Sequence, residues 1–270
     1  MKMKLIALLS GVACLGAAGA ASAADMAVKA APPPVVAVPG WQGFYIGING
    51  GGGWADTTFT GIPVTGDHFL TPLASRSTGW NDAGWVFGGQ IGYNWQFNQF
   101  VLGLEGTYSG ADVHNNTGLI VDPVFAGENI RLNSKVEQYG TIVGRAGFAP
   151  TNDWLLYARG GWAAARITTV PQDFFPLPAT LQHFSSGAAW HNGWTVGGGV
   201  EFKFARNWVF GVEYNYFDFG SERHSNLAIG TTGPAVGAPT FYAQDVKTTM
   251  STVTGRISYL FNAGPVVARY

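Results

Sequence analysis

Trp85-Val86-Phe87-Gly88-Gly89-Gln90-Ile91-Gly92-Tyr93-Asn94-Trp95-Gln96 is the stretch that decides the fold. On alternate residues, one face is Trp85, Phe87, Gly89, Ile91, Tyr93 and Trp95, and the other is Val86, Gly88, Gln90, Gly92, Asn94 and Gln96. A period of two belongs to a strand, whose successive side chains point to opposite sides. After Phe97-Asn98-Gln99 the alternation resumes, with Phe100, Leu102, Leu104 and Tyr108 facing one way and Val101, Gly103, Glu105, Thr107 and Ser109 the other. The two arms predict one antiparallel hairpin. Its apolar face carries aromatics at both ends and aliphatics between, the layout of a surface wetted by lipid. Each arm is about ten residues long, enough to cross a hydrocarbon layer when tilted. Backbone groups in lipid must find partners within the sheet, so the hairpin has to belong to a closed barrel.

The same alternation recurs on both sides of the hairpin. Trp41 is expected to open the first strand, in which Phe44, Ile46 and Ile48 alternate with Tyr45, Gly47 and Asn49. Strand four sets Ile142 and Phe148 against Thr141, Val143 and Arg145; strand five sets Trp154, Leu156 and Trp162 against Leu155, Tyr157 and Arg159. Strand six places Trp194, Val196, Val200 and Phe204 opposite Thr195, Glu201 and Lys203, and strand seven places Trp208, Phe210, Val212 and Tyr214 opposite Glu213 and Asn215. Strand eight turns Val253, Ile257, Tyr259 and Phe261 outward and Thr252, Thr254 and Arg256 inward. Short turns at residues 97–99, 150–153 and 205–207 alternate with long polar stretches at 55–81, 111–134, 166–191 and from strand seven to about 245, which are expected to be external loops. The predicted fold is therefore all-β, an eight-stranded antiparallel transmembrane up-and-down β-barrel over residues 41–261 with its short turns in the periplasm.

The ends of the chain fit that address. Lys2 and Lys4, an apolar run and the small residues Ala21-Ser22-Ala23 read as a cleaved signal peptide over residues 1–23, which implies Sec-type export to the outer membrane. Residues 24–40 include Pro32-Pro33-Pro34 and Pro39 and read as a Pro-rich periplasmic leader; residues 262–270 are a C-terminal extension. Cys14, the one cysteine, lies in the signal, so the mature chain is expected to have neither disulfide nor thiolate metal site. Gly11 makes Cys14 a poor lipidation site. Without residues 1–23 the chain has 13 basic residues against 16 acidic ones, and no basic surface for nucleic acid follows. Charged residues are 11% of the chain and glycines number 39, a composition suited to a barrel wall and unusual for a soluble domain.

Seven charged residues fall on the predicted lumen face: Glu105, Arg145, Arg159, Glu201, Lys203, Glu213 and Arg256. They make either an ion-paired, packed interior, as the width of an eight-stranded barrel favours, or a narrow polar path for small solutes beside inward glycines such as Gly92 and Gly199. His68, His114, His183, His191 and His224 all fall in the predicted loops, where imidazole is a candidate ligand for hemin, although no pair shows ligand spacing. Gly50-Gly51-Gly52-Gly53-Trp54-Ala55 matches a dinucleotide-binding pattern in form only, since no helix-forming sequence follows it. Glu105 and Glu213 are the best carboxylate pair for an enzyme, but no histidine or activated nucleophile shares their face, so no catalysis, cofactor or metal is expected.

An internal repeat underlies the count of strands. Gly103-Leu104-Glu105 recurs as Gly211-Val212-Glu213 at an offset of 108, and Thr141 with Gly144-Arg145 recurs as Thr252 with Gly255-Arg256 at 111. Trp41-Gln42-Gly43-Phe44-Tyr45-Ile46-Gly47, Gly88-Gly89-Gln90-Ile91-Gly92-Tyr93-Asn94, Gly103-Leu104-Glu105-Gly106 and Gly255-Arg256-Ile257-Ser258-Tyr259-Leu260-Phe261 carry a resemblance to the small outer-membrane porin-like surface proteins of alphaproteobacteria. That family includes abundant surface antigens and hemin-binding members. The resemblance implies a structural envelope role with weak porin activity, or alternatively a surface receptor or adhesin that takes hemin or a host component through its loops. It implies as partners the outer-membrane lipid, lipopolysaccharide and the barrel assembly machinery. That machinery reads a terminal aromatic, for which Phe261 and Tyr270 both qualify.

Overall fold

The computed structural model describes residues 40–61, 76–77, 83–116, 120–121, 129–174, 181–183, 187–229 and 239–262. The predicted signal, residues 24–39 of the leader, His68 and Tyr270 lie outside them. Eight long strands carry the fold: β1 (Gly43–Gly61), β2 (Ala83–Phe97), β3 (Phe100–Asn116), β4 (Asn129–Phe148), β5 (Trp154–Phe174), β6 (Gly187–Lys203), β7 (Trp208–Ile229) and β8 (Pro239–Asn262). Each is antiparallel to the next, and β1 also pairs with β8 from Gly43 opposite Asn262 to Gly61 opposite Gln244, so the sheet closes on itself. The β2–β3 turn is tight because Asn98 adopts a left-handed conformation (φ 55°), which asparagine tolerates better than most residues.

The outer wall is apolar across the part nearest the short turns. Leu104 and Ile142 are 57% and 63% exposed, a load of bare hydrocarbon that only lipid accommodates. Aromatic rings bridge neighbouring strands at the turn end, Phe44 to Phe261 and Phe100 to Phe148 with centroids 5.7 Å apart in each case. A second aromatic girdle, Trp85, Tyr108, Trp162 and Trp194, closes the apolar band on the other side. Beyond it the outer face carries ion pairs: Asp112 with Lys135 at 2.5 Å, Glu137 with Arg166 at 3.4 Å, Asp218 with Lys247 at 3.8 Å and Arg223 with Asp245 at 3.2 Å. Lys135 holds the Asp112 carboxyl below its ordinary range.

Two sequence expectations are corrected here. The predicted loops begin too early, because β1, β3, β5 and β7 run on to Gly61, Asn116, Phe174 and Ile229, while β4, β6 and β8 already start at Asn129, Gly187 and Pro239. Past the membrane the outer face meets water, so the apolar alternation stops although the ladder of backbone hydrogen bonds continues. Trp41 is the other correction. It precedes β1, its backbone N–H donates to Gln96 Oε1 at 2.5 Å, and its ring, 1% exposed, packs inside at the turn end with Val101, Leu155 and Leu260.

Inside, the side chains are stratified. An apolar layer at the turn end contains Trp41, Val101, Leu155, Val209 and Leu260. A second apolar layer nearer the far end contains Val86, Tyr139, Ile167, Phe217, Phe219 and Met250. Between them lies the charged layer. The extension is discontinuous at β2, which begins only at Ala83 while β1 and β3 run on beyond it, and again between β6 and β7, which are paired only as far as Trp194 opposite Asp218. Above that point β6 stays with β5 and β7 stays with β8, leaving a seam in the wall.

Candidate functional site

The charged layer is assembled from six strands, β3 to β8, whose inward positions meet at one level. Glu105 on β3 takes Arg159 Nη1 at 2.9 Å, Arg145 Nη1 at 3.3 Å and a contact from Arg256. Glu213 on β7 takes Arg159 Nη1 at 2.5 Å and Arg256 as well. Glu201 on β6 lies 3.0 Å from Arg145 Nη2 and 3.5 Å from Arg256 Nε. Three guanidiniums and three carboxylates make a neutral set, all of it buried. Charges held this far from water persist only when each has close partners, and every member here has at least two.

Of the seven lumen charges read from the sequence, six meet and Lys203 does not. It is the last residue of β6, and its ammonium donates to Gly40 O at 2.9 Å while lying 4.3 Å from the centroid of the Trp41 ring. The balance of the cluster is thus three to three, not four to three. Lys203 instead holds Gly40, three residues ahead of β1.

Two tyrosines complete the site, and sequence reasoning gave them no role. Tyr45 on β1 stands opposite Gly92 on β2, which stands opposite Glu105 on β3. The phenol reaches over the glycine and donates to Glu105 Oε2 at 2.7 Å while accepting from Arg145 Nη1 at 2.8 Å. Tyr157 on β5 stands opposite Gly199 on β6, which stands opposite Glu213 on β7, and its phenol donates to Glu213 Oε2 at 2.5 Å while accepting from Arg256 Nη1 at 3.2 Å. The glycines are spacers: a Cβ on Gly92 would sit 2.4 Å from Tyr45 Oη, and one on Gly199 2.8 Å from Tyr157 Oη. The room for water expected beside Gly92 and Gly199 is occupied by these rings. Tyr–Gly–Glu with an arginine two strands on from the glycine occurs once in β1–β4 and once in β5–β8, giving the sequence repeat a three-dimensional counterpart. Arg159 and Glu201 have no such counterpart in the first half, where Gly47 and Asn94 stand in the equivalent places, and they add the third ion pair.

Little free volume remains. A cavity of about 10 Å³, roughly what one water needs, is bounded by Gln90, Thr107, Thr141, Asn215, Thr254 and the charged cluster. Gln90 donates to Ser258 at 3.1 Å and accepts from Asn49 at 2.7 Å, extending the polar network across β1, β2 and β8.

The histidines sit otherwise than expected. His114, His191 and His224 are strand residues, and the backbone of His183 belongs to a short strand, Leu181–His183. His114 lies on the outer face 3.5 Å from Asp112. His191 and His224 are turned inside and are 0% and 2% exposed, with Nε2 atoms 2.8 Å apart. A buried pair bonded to each other offers no face to a ligand as large as hemin. Among the described residues no three potential metal ligands converge.

The model of an outer membrane protein beta-barrel domain matches residues 10–254. A 31 kDa outer-membrane immunogenic protein of Brucella melitensis is 33% identical over 79% of this chain and 86% of its own length. A 22 kDa outer membrane protein of Rhizobium leguminosarum is 29% identical over 70% of this chain and 69% of its own. Among solved structures, the outer membrane protease OmpT from Escherichia coli superposes with a TM-score of 0.50 at 9% identity, over 81% of this chain and 97% of that one, a likeness of fold alone. With a lipid-facing band, a closed ladder and these relatives, the chain belongs to the outer membrane protein beta-barrel family and resides in the bacterial outer membrane.

Proposed function

We propose that this protein is a structural, non-catalytic element of the outer membrane: a barrel that seals and braces the wall and passes no ions through its lumen. The observation that carries this reading is the neutral cluster of Glu105, Arg145, Arg159, Glu201, Glu213 and Arg256 lying between two apolar layers. An ion crossing the barrel would have to part the aromatic layers as well as the ion pairs, and the free space in the cluster is about one water. The carboxylates that an enzyme would use are engaged by arginine and tyrosine on all sides, which suits bracing and leaves none free as a general base.

The test is electrical. The full-length protein, folded into planar bilayers, is expected to leave the membrane silent under applied voltage. Discrete, reproducible conductance steps from the purified protein would overturn the reading in favour of a pore.

A further inference from the structure

The seam between β6 and β7 is bridged by a hydrogen bond between imidazoles, beside one from His224 to the Gly187 backbone. Above Trp194 and Asp218 the two strands no longer share backbone hydrogen bonds, and each leans on its other neighbour. The break begins at an irregularity between Asp218 and Ser221, where Gly220 adopts φ +68° and its N–H is accepted by Asp218 Oδ1 at 2.9 Å. Glycine suits this position because a side chain would strain the left-handed backbone. His191 from β6 and His224 from β7 then meet across the gap, Nε2 to Nε2, at 2.8 Å.

The surrounding bonds fix which nitrogen carries each proton. Gln244 Nε2 donates to Thr169 Oγ1 at 3.4 Å, and the Thr169 hydroxyl donates to Gly187 O at 3.4 Å. The Thr169 oxygen is then an acceptor for His224 Nδ1–H at 3.1 Å. His224 Nε2 is left as a lone pair, so His191 Nε2–H must be the donor across the seam. His191 Nδ1 is consequently a bare acceptor, buried and without a hydrogen-bond partner. A proton on His224 Nε2 would face the His191 N–H and break this chain of bonds, and one on His191 Nδ1 would leave the bond in place but put a buried charge where it has no acceptor.

We propose that the β6–β7 seam is a proton-operated opening in the external part of the barrel, held shut by the neutral His191–His224 pair and parted when these imidazoles become charged. Opening would give water and small polar solutes entry from outside as far as the Phe217 and Phe219 layer, while the charged cluster below stays closed. Glu222, on β7 itself, is the charged group among the described residues whose field reaches His224. The inward neighbours Ile167 and Thr169 on β5 and Gln244 and Val246 on β8 do not titrate. Arg166, Arg223 and Asp245 face the outer surface in pairs of their own. Burial, with His224 adding to it, pushes His191 down to about 4, and burial also lowers His224. A histidine depressed in the closed form and ordinary in the open one favours closure above about pH 6.5, the unperturbed value. That preference is lost by about tenfold per pH unit as pH falls from there toward the closed-state value.

Hydrogen exchange on the full-length protein in lipid nanodiscs, corrected for the intrinsic pH dependence of the rate, tests this at pH 7.4 and 5.0. Protection of residues 187–193 and 219–225 is expected to fall about tenfold or more at the lower pH, with residues 208–216 unchanged. The double variant His191→Gln, His224→Gln, which keeps amide partners and removes the charge, is expected to respond less than twofold. Unchanged protection in the wild type, an equal response in the double variant, or loss spread over 208–216 would each overturn the proposal. Should the variant fail to fold, the imidazole proton resonances of the wild type decide. Titration of both near pH 6.5 with no change in exchange would overturn the proposal, and neutrality below pH 5.5 until the segments open would support it.

Discussion

Gly92 and Gly199 show how much a missing methyl group does in this lumen. Tyr45 and Tyr157 reach their carboxylates only because the residue opposite each has no side chain. Gly92→Ala is expected to push the phenol off Glu105 and destabilise the barrel by about 1–3 kcal/mol, the usual penalty of overpacking a filled interior. Gly89→Ala, three residues away on the lipid face with its nearest neighbour at 3.4 Å, is expected to change stability by less than about 0.5 kcal/mol. Urea unfolding from lipid vesicles measures both. Parity alone placed Glu105, Arg145, Arg159, Glu201, Glu213 and Arg256 on the lumen face. Nothing in parity says which of them share a level, since that is set by strand tilt and by the register of eight pairings. Lys203 was grouped with the others for that reason and proves to lie by Trp41. The tyrosines were readable as inward but not as bridging, because the glycine each crosses belongs to a different strand.

At the scale of the strand, the outer face divides into a band that wants hydrocarbon and an extension that wants water. Leu104 lies between the two aromatic girdles, so Leu104→Arg is expected to destabilise the folded barrel by about 2–4 kcal/mol. Asp112→Ala, in the ion-paired belt beyond Trp85, removes a solvent-screened surface pair and is expected to leave the unfolding midpoint close to that of the wild type. Equilibrium unfolding of the two variants side by side separates the zones. The sequence made the band legible and hid the extension, because in water a strand needs no greasy face to exist. Thr57, Ser134 and Thr248 illustrate this. The first two fell within predicted loops, yet all three face inward and bond to one another, Ser134 to Thr57 at 3.0 Å and Thr57 to Thr248 at 3.2 Å. His191 and His224 were misplaced by the same effect.

For the whole molecule, closure is what the lipid demands, and it is legible in the sequence from the number of strands, the even spacing of short turns and the need of backbone groups for partners. The way the interior is filled was not, for it depends on contacts between residues as far apart as Glu105 and Arg256. Full-length protein is expected to migrate on a denaturing gel as a compact form unless heated, and a chain ending at residue 251 to show the slow, unfolded form without heating. Migration of the shortened chain as the compact form would contradict the pairing of β8 with both β7 and β1. That pairing reaches beyond stability. Gly43 waits for Asn262, so the neighbour of the first strand made is the last one to emerge, and every intermediate in between carries two unsatisfied edges into a solvent that offers them nothing. The speed of its biogenesis is therefore governed by whatever shelters those edges, and a cell short of that shelter would accumulate aggregates of this protein and not half-built barrels.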